Sequence, residues 1–142
     1  MGELNDVFER RWRTLQLRSI KENITLPPKE KLYKLLLQSY ENGFKCDYCG
    51  TQLKIKDIYP YHSVFSFEHK KSIHIGGDNR IENFSVICHR CNIVKGPMSE
   101  EAWRDIIKYL PPNLFNKMCN ESFVSGMARE LERQRLGREQ CK

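Results

Sequence analysis

Apolar positions along this chain change period twice, and the changes divide it into helical flanks around a strand-rich middle. Over residues 3–20, Leu4, Val7, Phe8, Trp12 and Leu15 recur at helical spacing with Arg10, Arg11, Arg13 and Arg18 among them. That spacing predicts an amphipathic helix. Asn23 to Pro28 is a break, and Pro28 suits the first turn of a second helix with the stripe Leu32, Leu35, Leu36 and Tyr40, ended by Gly43. The period then falls to two. Residues 52–59 alternate loosely up to Pro60 and predict a short strand. Val64-Phe65-Ser66-Phe67-Glu68 alternates cleanly and predicts a strand that delivers Glu68 and His69 at its end. Gly76-Gly77-Asp78-Asn79 is strong turn chemistry, and Phe84 to Cys88 is a second short apolar strand. From His89 the pattern is helical until Gly96-Pro97. Ser99 caps a further helix holding Trp103, Ile106, Ile107 and Leu110, stopped by Pro111-Pro112, and a last helix is predicted from Leu114 or Asn120 to Leu136. The order predicts a small α+β protein.

At 142 residues the chain suits one compact unit, with an N-terminal helical extension over 1–43, a core over 44–97 and a C-terminal helical extension over 98–142. A hydrophobic share of 39% supports a modest core, and 30% charged residues favour solubility. No apolar run approaches the length needed to span a bilayer, and the N-terminus lacks the apolar centre of a signal peptide, so a cytoplasmic setting is expected. Thiols stay reduced there, so paired Cys-x-x-Cys sequences read as metal ligands. The net charge of +6 favours a polyanionic partner and is spread along the chain rather than gathered in a tail.

Cys46-Asp-Tyr-Cys49 and Cys88-His-Arg-Cys91 offer four thiolates at the spacing of a tetrahedral Zn²⁺ site. They bracket Glu68-His69 and Asn83, and Asn92 follows directly. A carboxylate, an imidazole and two carboxamides are the groups that serve a hard divalent cation and a general base. Phosphodiester hydrolysis needs such groups to activate a water beside a cation. One carboxylate and one carboxamide leave coordination positions open, which suits Mg²⁺ or Mn²⁺. Lys70, Lys71, Arg80 and Lys95 are candidate phosphate contacts, Lys95 foremost because it lies one turn past Asn92. Taken singly, each residue has a plainer reading: a strand-end Glu-His is surface, and an Asn is a cap or solvated helix residue. Only the joint register with the cysteines points to chemistry. Trp12 and Trp103 read as core anchors and Cys119 as a buried small apolar residue. The basic stretches Arg10–Arg13 and Arg129–Arg138 read as solvated faces or as DNA contacts.

From Phe67 to Gly96 the chain carries, in order, an acid-His pair, a Gly-Gly turn, Asn83 and Cys-x-x-Cys-Asn-x-x-Lys-Gly. This stretch resembles the HNH nuclease family, built on the ββα-metal (His-Me finger) motif, and with the first Cys pair the resemblance covers about fifty residues. The resemblance implies a ββα core stapled by the four-cysteine zinc site. It also implies a metal ligand at Glu68, where the family more often has Asp, and a general base at His69 that takes a proton from the attacking water. Asn83 would hold the His69 ring or its loop. Asn92, in place of the motif's last His, would be the second ligand of the catalytic cation. The activity implied is metal-dependent endonuclease cleavage of DNA, leaving a 5′-phosphate and a 3′-hydroxyl. One such site cuts one strand, so a double-strand break would take a homodimer or two binding events. A zinc-stabilised nucleic-acid-binding module without turnover is the other reading of the same residues.

Overall fold

The computed structural model describes residues 2–56, 58, 61–73, 76–121 and 135. Helix α1 (Gly2–Glu22) buries Leu4, Val7 and Phe8, and α2 (Lys29–Glu41) buries Leu32 and Leu36. These are the 3.6-period positions. Gly43 ends α2 with a φ of 95°, a left-handed conformation that glycine adopts without a Cβ penalty.

Two short strands follow, β1 (Phe65–His69) and β2 (Phe84–Cys88), paired antiparallel with Phe65 opposite Cys88 and His69 opposite Phe84. Strand pleating sends alternate side chains to opposite faces. Phe65 and Phe67 point toward α1, where Phe67 packs edge-on against Phe8 and the Arg11 guanidinium lies 5.0 Å from the Phe65 ring centre. Ser66 and Glu68 point the other way, to α3 (His89–Lys95). β2 is buried along its whole length, because the knuckle backs it: Asp47 N–H donates to the Val86 carbonyl at 3.3 Å. Cys88 caps α3, its sulfur accepting from the Cys91 N–H at 3.3 Å. The result is α+β: a ββα unit with a cysteine cluster, built into a helical surround.

Helix α4 (Glu100–Ile107) starts from the Ser99 cap as expected, with Ser99 Oγ accepting from the Ala102 N–H. It stops at Ile107, short of Leu110, and residues 112–121 are helical again, with Pro112 opening that helix rather than blocking it. Residues 52–56 do not make the anticipated strand. They form only two isolated bridges, Lys45 with Gln52 and Lys54 with Val64. Arg129–Arg138, His74 and Cys141 fall on residues outside those described, apart from Arg135.

One core joins these pieces. Leu4, Val7, Phe8, Leu32 and Leu36 share a buried cluster with Phe65, Val86, Ile87, Trp103 and Phe115. Fully burying a side chain such as Phe65 contributes about 1.5–3 kcal/mol. Helices α1 and α2 are therefore integral to the fold of the hairpin, because a two-strand sheet alone is marginal in water. Cys119 is buried, and Trp103 stacks edge-on against Phe115.

Candidate active site and metal centre

The four cysteine sulfurs converge, all lying within 4.8 Å of one another. The Cys46–Cys91 and Cys49–Cys88 separations are 3.7 Å and 3.6 Å, and all four thiols are free of disulfides. A tetrahedron with Zn–S bonds near 2.3 Å has edges of about 3.8 Å, so the cluster matches a zinc site in size and donor type. Hydrogen bonds from Cys46, then from Cys88 and Cys91, hold the Cys49 thiol far below its ordinary value. Cys91 is pushed up by Cys46 and Cys49. Two of the thiols, Cys46 and Cys49, are lowered while Cys88 and Cys91 are raised, so the cluster resists the full set of thiolates; a divalent cation relieves that repulsion.

Arg90, between the two ligands of the second pair, was given no role by the sequence. Its guanidinium lies 4.0 Å from the Phe115 ring centre, donates to Asn116 at 2.7 Å and points at Cys49 Sγ at 3.6 Å. Arg104 of α4 sits over Tyr48 and donates to the Asp47 carbonyl, so α4 clamps the first knuckle from outside.

At the other end of the unit, Glu68, His69 and Asn92 line one cleft together with Phe67, Ser72, Ile73 and Gly96. Arg18 and Glu22, from the last turns of α1, complete its wall. Its volume is ≈ 160 Å³. At about 30 Å³ per water that is room for a phosphate with a few waters.

His69 ends β1 with its ring 4.5 Å, centre to centre, from Phe84. Its Nε2 lies 2.6 Å from Asn79 Oδ1. With a carboxamide oxygen as partner, Nε2 carries the proton and Nδ1 keeps the lone pair. Burial holds the imidazole below its ordinary pKa of about 6.5, against the bond to Asn79, and the charge of Arg18 acts in the same direction as burial. The ring is thus neutral at neutral pH.

Asn83 makes no hydrogen bond to the ring. Its side chain accepts from the Lys71 N–H at 2.8 Å and donates to the carbonyls of Lys71 and Asp78 at 3.0 and 2.7 Å. It fastens both ends of the turn loop, and the ring partner is Asn79, which the sequence suggested only as a turn residue. Gly77 is obligatory in that loop, since a Cβ there would lie 1.8 Å from the Lys71 carbonyl oxygen.

Glu68 is 6% exposed, and its Oε1 lies 2.8 Å from Nζ of Lys95, which is 0% exposed. The ammonium sits off the direction a hydrogen bond would take, so the contact is an ion pair rather than an aligned bond. Lys95 is therefore a buried counter-ion beneath the cleft, a correction to its expected place at the phosphates. Burial pushes the Glu68 carboxyl up, with Lys95 opposing it. Glu68 Oε2 is buried without an aligned hydrogen bond, and the neighbouring Tyr48 hydroxyl acts on the carboxyl together with Lys95. Asn92 donates from Nδ2 to Ser66 Oγ at 3.1 Å, which leaves its Oδ1 for another partner. A carboxylate and a carboxamide on residues that line one cleft are donors of the type a hard divalent cation takes.

The remaining phosphate candidates lie elsewhere. Lys71 and Arg80 line a neighbouring hollow with Asp78 and Asn83, and Arg80 is paired with Asp78 at 3.0 Å. The charge of Lys70 acts on Asp47, in the first knuckle.

The family model of HNH endonucleases matches residues 46–97, from the first cysteine of the cluster to just past α3. That segment, a little over a third of the chain, carries both the cysteine cluster and the Glu68–His69–Asn92 cleft. No curated protein and no solved structure matches the chain. The match supports a nuclease-type, nucleic-acid-related function for this segment. Among the described residues no helix is long and apolar enough to cross a membrane.

Proposed function

We propose that this protein is a metal-dependent endonuclease that hydrolyses DNA phosphodiester bonds, with His69 as general base. The observation that carries the reading is that His69, Glu68 and Asn92 line one cleft with room for a phosphate. Nδ1 of His69 takes the proton from the attacking water, while Asn79 holds the ring by its other nitrogen. Glu68 Oε2 and Asn92 Oδ1 would hold a Mg²⁺ or Mn²⁺ ion, which when bound supplies Lewis-acid stabilisation of charge on the phosphate and leaving oxygen. Asn83 keeps the loop that carries Asn79 in place. The cysteine cluster would hold Zn²⁺ in a closed, purely structural role.

Supercoiled plasmid with Mg²⁺ or Mn²⁺ tests this directly. Purified protein is expected to nick it, and His69→Ala to lose at least a hundredfold in rate, the usual order for a general base. If both proteins bind plasmid and neither cleaves under any cation, the protein is a zinc-stabilised binding module instead.

A further inference from the structure

Arg18 is the only lysine or arginine that lines the His69 cleft among the described residues. Its ion pair with Glu22, 3.2 Å long between side chains 55% and 45% exposed, is of the kind a phosphate readily displaces. Arg18 also belongs to a larger pattern. Arg10, Arg13, Arg18 and Lys21 are all exposed, and at 100° per residue they fall within an arc of about 140° on α1. No described acidic side chain pairs with Arg10, Arg13 or Lys21. From Arg10 to Lys21 the helix rises about 17 Å, the length over which one strand of a duplex presents roughly five phosphates. Leu17, 70% exposed, sits in the middle of this stripe. Packing a second α1 against it would oppose like charges, so a polyanion suits the face better than another copy of the chain.

We propose that the outer face of α1 is the DNA-docking surface of this protein. Arg10, Arg13 and Lys21 bind backbone phosphates beside the cut. Arg18 leaves Glu22 to contact the phosphate that enters the cleft, as a positioning residue for hydrolysis. The role of Arg18 rests on the nuclease reading; the docking by the other three does not.

The experiment measures binding of a short fluorescent DNA duplex across a salt series, with every variant built on His69→Ala so that the duplex stays intact. Arg10→Gln/Arg13→Gln/Lys21→Gln is expected to lower the slope of log K against log salt by about 2.7, since each phosphate that is no longer neutralised removes about 0.9. A control with three other exposed lysines removed, Lys34→Gln/Lys108→Gln/Lys117→Gln, is expected to change it by less than one. Helix content and Tm of all variants are followed by circular dichroism; Gln keeps the helix, and the residues are exposed. An unchanged slope in the α1 variant, or an equal fall in the control, overturns the proposal. In protein with His69 intact, Arg18→Gln is expected to lower kcat for nicking about tenfold with affinity changed less than threefold, and Arg18→Lys to recover part of it. An unaltered kcat removes Arg18 from the proposal. If the parent protein never cleaves, the nuclease reading fails by itself, and the salt slopes still decide whether α1 docks DNA.

Discussion

Helix α3 serves two sites that differ in almost every physical respect. Its cap Cys88 and its first-turn Cys91 join a largely buried cluster of four converging soft donors. Asn92, about a quarter-turn round from Cys91, and Lys95, one turn on, reach the Ser66 and Glu68 side of β1, where oxygen donors line a cleft. A metal centre with every position filled can only tie chain segments together, whereas one with positions open can bind water and substrate. The eight residues Cys88–Lys95 thus contribute both to the cysteine cluster and to the cleft beside it. The fastening spans Cys46 to Cys91 and encloses the whole hairpin.

The sharpest test of that contrast is Cys88→Ser. Structural zinc in small sites contributes on the order of 10 kcal/mol, so this variant is expected to lose its metal and cooperative unfolding together. Retention of one equivalent of zinc with an unchanged Tm would erase the distinction. His69→Ala should behave in the opposite way, losing about 10²- to 10⁴-fold in nicking rate with Tm and zinc content intact. A brief wash with a hard-cation chelator should mimic His69→Ala reversibly, and a zinc-stripping treatment should mimic Cys88→Ser.

Lys95→Met probes the boundary between the two sites. Removing the ammonium leaves Glu68 as a buried charge without its partner, at a cost of about 3–5 kcal/mol in urea unfolding. Much of that should return in Lys95→Met/Glu68→Gln. Should Lys95→Met instead unfold normally and bind DNA more weakly, the lysine would belong at the phosphates after all. The smallest expected effect is that of Asn79→Ala, which frees the His69 ring without touching the core. A rate loss of about threefold to tenfold, the worth of one hydrogen bond, should appear with Tm within a degree or two.

Both helical stripes, the strand pair, the turn and the cysteine geometry were legible because local periodicity and pair spacing dictate them. Residues 52–56 misled because loose alternation describes any extended segment, and among the described residues their pairing with Lys45 and Val64 stops at single bridges. In the cleft, Glu68, His69 and Asn92 were legible from their register with the cysteines. Asn79 and Arg18 were not, for different reasons. Asn79 had a sufficient explanation as a turn residue, and its signal was only its place just after the Gly-Gly pair. Arg18 lies 51 residues from His69 in sequence, and its position depends on Phe8 packing against Phe67, a pairing that no local pattern announces. The burial of Lys95 likewise needed the pleat of β1, which turns Glu68 inward beneath α3.

That pleat has an evolutionary and engineering corollary. Glu68 and His69 are consecutive, yet they leave the strand in opposite directions, one toward α3 and the other toward Phe84 and the end of α1. One residue inserted or deleted between Phe65 and Phe67, with the pairing held fixed, would exchange their directions: the imidazole would meet the ammonium and the carboxylate would meet an aromatic wall. The hairpin therefore has no silent frame, and length variation in related chains should be confined to the turn between residues 70 and 80, where Asn83 can still close the loop.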